Sequence, residues 1–131
     1  MINYFTWNEF DNAVEEIASK CMLLEFSGIY GVPSGGLCLA VALSHKLKIN
    51  LISEPKKNSL IVDDVYETGL TLKTFKDLEG AMFFVLFSKC KPKWWNSVFI
   101  AEKSEWIVFP WESTLDAKND REEYIRKRGL N

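Results

Sequence analysis

The spacing of apolar positions changes several times along this chain, and each change marks a boundary between elements. Phe10, Val14, Ile17 and Cys21 recur three or four residues apart, the spacing of one helical face. Thr6 followed three residues later by Glu9 makes a capping box, so the pattern predicts a helix from Trp7 to Leu23. Ser27 to Val32 is a short apolar run that reads as a buried strand. Pro33-Ser34-Gly35-Gly36 breaks it, and Leu37 to Leu47 follows as a strongly apolar helix. Ile49 to Ile52 and Leu60 to Asp63 read as strands and Leu70 to Leu78 as a helix. Met82 to Phe87 is a continuous apolar strand, and Ser97 to Ala101 is another. Asp116 to Lys127 reads as a charged surface helix with Gly129 past its end. Strands that alternate with helices and are apolar throughout predict an α/β fold, with a mainly parallel sheet covered on both faces.

Composition narrows this picture without redirecting it. At 131 residues the chain is one domain, residues 1–131, with enough length for a real core. A net charge of −2 with no basic block gives no field for nucleic acid. No apolar run reaches membrane length. Cys21, Cys38 and Cys90 lack metal-ligand spacing and read as reduced thiols of a cytoplasmic protein.

The run Leu60-Ile61-Val62-Asp63-Asp64-Val65-Tyr66-Glu67-Thr68-Gly69-Leu70-Thr71-Leu72 carries the candidate chemistry. An apolar strand ends in two adjacent carboxylates, and a hydroxyl-rich loop hinged by Gly69 leads into a helix. Backbone N–H groups, two threonine hydroxyls and a helix N-terminus around one point suit a phosphate dianion. Carboxylates beside a phosphate must take up something else, such as sugar hydroxyls or a hydrated Mg²⁺.

This run resembles the phosphoribosyl-diphosphate signature of the type I phosphoribosyltransferases: a hydrophobic strand, two acids, then a T-G-x-T loop. The resemblance implies that family's twisted, mainly parallel sheet. It further implies that Glu67, Thr68, Gly69, Leu70 and Thr71 hold the 5-phosphate and that Asp63 and Asp64 hold the ribose hydroxyls, directly or through Mg²⁺. The position of Glu67 is often an aspartate near the purine N7. Upstream, Pro33, Ser34, Gly35 and Gly36 resemble the diphosphate loop, with a cis peptide implied at Pro33–Ser34. Relatives commonly carry a basic residue where Ser34 stands.

Lys89 ends an apolar strand, and Trp106-Ile107-Val108-Phe109-Pro110-Trp111-Glu112 comes later. A strand-end ammonium can donate to a carbonyl oxygen, and an indole offers a flat face to a heterocycle. The pair resembles the base pocket of xanthine-guanine phosphoribosyltransferases. The resemblance gives Lys89 the 6-oxo group, Trp106 the stacking face, Ile107 a backbone contact, and Glu112 the exocyclic or metal side. Trp111 reads as core. His45, late in the second helix, reads as a surface or capping residue.

Trp94 and Trp95 read as an exposed patch of the kind that marks oligomer contacts, and a homo-oligomer, dimer or tetramer, is expected. The connection from Ser53 to Ser59 is shorter than the family's usual hood, so Lys56 or Lys57 is expected to supply the missing cation if turnover survives. The expected reaction moves ribose 5-phosphate from phosphoribosyl diphosphate to xanthine, guanine or hypoxanthine, with Mg²⁺. A non-catalytic phosphoribosyl-binding module and a transferase for a non-purine acceptor are the alternatives.

Overall fold

The computed structural model describes residues 1–129. Four strands, β2 (Ile29–Gly31), β3 (Leu60–Tyr66), β4 (Met82–Ser88) and β5 (Asn96–Ile100), form one all-parallel sheet in chain order. Two short strands, β1 (Ile2–Tyr4) and β6 (Trp106–Val108), pair in parallel as a second sheet. The helices are α1 (Trp7–Cys21), α2 (Leu37–Leu47), α3 (Leu70–Lys73) and α4 (Thr114–Arg128).

Each face of the main sheet has its own apolar cluster. α1 and α2 pack on one face, where Ile17, Leu39 and Leu43 meet Leu60, Val62, Phe84 and Leu86. On the other face Ile61, Phe83 and Val85 are covered by Leu72, Phe75 and Trp95. The side-chain alternation of a strand explains the division: Leu60 and Val62 face one way and Ile61 the other. It reverses after the acids, since Val65 joins the first cluster and Tyr66 the second.

Several boundaries differ from the pattern. α1 closes at Cys21 because Met22 and Leu23 are exposed and add nothing to the buried face; its capping box is present, with Glu9 N–H donating to Thr6 Oγ1 at 3.1 Å. The segment expected as a strand at Ile49–Ile52 makes only an isolated parallel bridge, Leu51 to Ile29. The α3 helix lasts four residues, and residues 74–78 continue as turns that still half-bury Phe75 and Leu78. In contrast β3 runs three residues past Asp63, because β4 beside it supplies hydrogen-bond partners as far as Ser88. No periodic signal foretold β1 or β6; each is three residues long and exists through the other.

The exposed tryptophan patch is also corrected. Trp95 is buried, stacks on Tyr66 at 3.7 Å between ring centroids, and donates its indole N–H to Ser88 Oγ at 3.1 Å. Trp94 packs edge-on to Phe83 beside it. Both belong to the second cluster, so they give no argument for an oligomer contact. His45 is exposed in the last turn of α2, as expected. Among the described residues no helix is long and apolar enough to cross a membrane.

Candidate active site

The carboxyl ends of β2, β3 and β4 open onto one cavity of about 560 Å³, within the range of small-molecule sites. The turn after β2 contributes Pro33, Ser34 and Gly35; β3 and its loop contribute Asp63, Asp64, Glu67 and Thr71. Lys89, just past β4, lies opposite, and the second sheet carries Trp106 and Ile107 over the top, with Glu112 and Asp120 at the rim. A recess of about 120 Å³ adjoins it, lined by Glu67, Thr68, Gly69, Leu70 and Thr71.

Close backbone approach shapes the floor. A Cβ at Gly35 would stand 2.3 Å from Asp64 Oδ2, so a side chain at this position would have to displace the Asp64 carboxyl. Gly69 has φ +74°, and a Cβ there would meet Tyr66 Oη at 2.1 Å. The peptide between Pro33 and Ser34 is cis. Gly36 does not reach the cavity wall; it is wedged against the Val62 carbonyl and opens α2.

The cavity is acidic. Among the described residues five acidic side chains line it, those of Asp63, Asp64, Glu67, Glu112 and Asp120, against one ammonium, that of Lys89. Burial, reinforced by the neighbouring Asp64 carboxylate, pushes Asp63 up from 3.8 to about 8. Burial also raises Glu112; the Phe109 N–H, which donates to its Oε1 at 2.9 Å, opposes this, and the Asp64 and Asp120 charges add to it. Asp63 Oδ1 accepts from Asp64 N–H at 2.8 Å, and Asp64 Oδ1 accepts from Val65 N–H at 2.7 Å. The two acids also hydrogen-bond to each other through their side chains, which adds to the rise at Asp63.

The opposite wall is built for a flat group. Lys89 is 7% exposed, and its Nζ donates to the Lys103 carbonyl at 3.3 Å. Trp106 offers its ring from β6, while Phe109 and Trp111 stack on each other behind it at 4.9 Å. Tyr124, from α4, lies 5.0 Å from the Trp106 ring.

No family model matches the chain. The fold does have solved counterparts. A purine phosphoribosyltransferase from Pyrococcus horikoshii Ot3 is 31% identical in sequence and superposes with a TM-score of 0.71, covering 86% of this chain and 94% of that one. The chain belongs to the purine phosphoribosyltransferase family. It is also 26% identical to the xanthine-guanine phosphoribosyltransferase of Idiomarina loihiensis, across 86% of this chain and 88% of that protein. The Helicobacter pylori xanthine-guanine-hypoxanthine phosphoribosyltransferase shares the fold, with a TM-score of 0.70 at 19% identity. Membership places the protein among the pentosyltransferases, on a type I phosphoribosyltransferase fold.

Seen as a phosphoribosyltransferase, the protein brings together almost every residue singled out from its sequence. One expectation fails on geometry. Asn58 N–H donates to the Glu79 carbonyl, and Met82 N–H to the Ser59 carbonyl, at 2.8 and 3.0 Å. Those bonds sit at the amino ends of β3 and β4. Lys56 and Lys57 are therefore at the far end of β3 from the acids, because Leu60 to Asp63 alone rises about 10 Å, and they do not serve the cavity.

Sequence reasoning missed Asp120 and Tyr124, since the charged α4 read as a surface helix. The available signal was their i, i+4 spacing beside the buried Ala117, which puts all three near one face.

Proposed function

We propose that the protein transfers ribose 5-phosphate from phosphoribosyl diphosphate to a ring nitrogen of a 6-oxopurine, releasing diphosphate and a nucleoside monophosphate. The observation that carries this reading is that Lys89 and Trp106 share one cavity with the paired acids and Thr71, and that the whole T-G-x-T loop lines the recess beside it. A hydrogen-bond donor and a flat stacking face stand at one end, and oxygen ligands with a phosphate recess at the other. An extended substrate with a planar head and an anionic tail matches that polarity.

Roles follow from position. Thr68, Gly69, Leu70 and Thr71 line the recess and receive the 5-phosphate. Asp63 and Asp64 stand between recess and base wall, where the ribose hydroxyls lie. Pro33, Ser34 and Gly35 border the acids and receive the diphosphate, with Gly36 setting their turn. Lys89 donates to the 6-oxo oxygen, Trp106 stacks on the base, Ile107 reads it through its backbone, and Glu112 borders its exocyclic side. Glu67 holds or moves the base proton. As the glycosidic bond breaks, positive charge grows on the ribose, and the carboxylates of Asp63 and Asp64 stabilise it.

A cavity lined with acidic side chains would repel a polyphosphate, and two adjacent aspartates are the hard donor set that Mg²⁺ takes. No group of three or more His, Cys, Asp or Glu among the described residues could hold a metal by itself. That fits Mg²⁺, which uses one or two carboxylates and completes its shell from water and substrate phosphates. When bound, Mg²⁺ would neutralise the charge developing on the leaving diphosphate.

A second reading, a phosphoribosyl-binding module without turnover, is favoured by the placement of Lys56 and Lys57, which leaves the diphosphate turn with Ser34 and no lysine from the short connection. The deciding experiment supplies phosphoribosyl diphosphate and Mg²⁺ with xanthine, guanine, hypoxanthine, adenine, uracil and orotate in turn, alongside calorimetry of the diphosphate alone. Nucleotide from the first three bases supports the transferase. Diphosphate binding without any nucleotide supports the module, and nucleotide only from uracil or orotate defeats the purine assignment.

A further inference from the structure

We propose that Tyr124 gates the base pocket: its ring occupies the place a 6-oxopurine would take, so base and tyrosine compete for the same three side chains. The inference rests on the base-pocket reading above and adds to it. Tyr124 makes, within the chain, three of the contacts that reading gives to the base. Its ring faces Trp106 at 5.0 Å between centroids with a 48° tilt. The Lys89 ammonium stands over the same ring, 5.2 Å from its centroid. The phenol hydroxyl donates to Glu67 Oε1 at 2.5 Å.

Distance makes the occupancy exclusive. A planar ring sandwiched between two others needs about 7 Å between the outer faces, two layers of about 3.5 Å each. The 5.0 Å between Trp106 and Tyr124 leaves no layer free. A base can take that face of Trp106 only after Tyr124 withdraws.

Two further observations mark the closed arrangement as one that gives way. Among the described residues, Trp106 Nε1 is the one buried side-chain polar atom with no hydrogen-bond partner, and such a group pays its desolvation cost uncompensated. The helix bearing Tyr124 also buries few apolar side chains: Ser113 caps its start, Ala117 is its buried apolar residue among those described, and Ile125 is half-buried. Opening its last turns therefore exposes little apolar surface.

A gate of this kind sharpens specificity. An incoming base must repay what Tyr124 gives up. A 6-oxopurine does so through its acceptor to Lys89 and its stack on Trp106, whereas a 6-amino group presents donors to the ammonium.

The test is calorimetry of guanosine, inosine and xanthosine 5′-monophosphates against ribose 5-phosphate, which carries the same phosphate and sugar without a base. It uses the wild type, Tyr124→Ala, Tyr124→Phe and Lys89→Met. Tyr124→Ala is expected to tighten nucleotide binding about tenfold, or 1.4 kcal/mol, and to leave ribose 5-phosphate unchanged. Tyr124→Phe, which loses the hydroxyl but keeps the ring, should fall between. Nucleotide binding that is unchanged or weaker in both Tyr124 variants, while Lys89→Met still weakens it, overturns the gate and spares the pocket. Nucleotides that bind no tighter than ribose 5-phosphate in every variant, with Lys89→Met silent, overturn both.

Discussion

Replacing Asp63 with asparagine should stabilise the ligand-free protein while abolishing nucleotide formation. The Asp63 carboxyl is held near 8, against an ordinary 3.8, by burial and by the adjacent Asp64 charge. A group whose pKa is raised on folding binds its proton more tightly in the native state. Its effect on stability is therefore nil below about pH 4 and becomes a growing penalty as pH rises towards 8. The whole shift, at about 1.4 kcal/mol per unit, sets a ceiling of roughly 6 kcal/mol. Asp63 keeps some contact with solvent in the cavity, so we expect about 2 kcal/mol at pH 8, a rise in melting temperature of roughly 5–10 °C for a domain of this size. Asparagine retains the oxygen that accepts from Asp64 N–H, which keeps the local backbone bond. Urea denaturation of both proteins at pH 4, 6 and 8 reads the effect. The variant's advantage should be absent at pH 4 and largest at pH 8. Adding Mg²⁺ with phosphoribosyl diphosphate should stabilise the wild type and not the variant. A variant less stable than wild type at pH 8, or a difference that does not change with pH, would refute the electrostatic account of these acids.

Three other perturbations test separate parts of the molecule. Lys89→Met should weaken use of xanthine or guanine by about one to two orders of magnitude, the worth of one charged hydrogen bond at roughly 1.5–3 kcal/mol. Binding of phosphoribosyl diphosphate should persist, and equal wild-type use of adenine would defeat the assignment. Gly69→Ala should cost about 2 kcal/mol in urea denaturation, because the left-handed backbone penalises a Cβ by roughly 1–2 kcal/mol and Tyr66 Oη stands in its way; a change under about 0.5 kcal/mol would mean the loop relaxes freely. Changing Lys56 and Lys57 together to alanine should leave steady-state turnover within about twofold, a factor worth under 1 kcal/mol, since both lie at the amino end of β3; a large loss of rate would bring the connection back into the mechanism.

The wild-type chain wrote its local chemistry plainly. Apolar runs at strand period and at helical period marked α1, α2, β3 and β4, because burial on one face or on two leaves a periodic trace. The Asp63–Thr71 run and the Pro33–Gly36 turn were readable because their residue types are tied to backbone tasks: glycine where a Cβ would strike Asp64 or Tyr66, acids where a strand reaches the sheet's carboxyl edge. Lys89, Trp106 and Ile107 were legible only through resemblance, since nothing about a lysine and a tryptophan seventeen positions apart in this sequence shows that they share a wall.

Tertiary structure decided what depends on partners distant in sequence. β1 and β6 each hold three residues and exist by pairing with each other, so neither has a signal of its own. Trp95 reads as exposed beside Lys91-Pro92-Lys93 until Tyr66, some thirty residues earlier, supplies the ring on which it stacks. The side of the sheet on which Lys56 and Lys57 emerge was settled by the hydrogen bonds tying Asn58 to Glu79 and Ser59 to Met82. Tyr124 reached Trp106, Lys89 and Glu67 because α4 folds back over the site, a placement that no spacing within the helix can state. Local period and turn chemistry act between neighbours and are written in order along the chain. Walls, gates and charge balance arise between strangers in sequence, and only the packed fold brings them face to face.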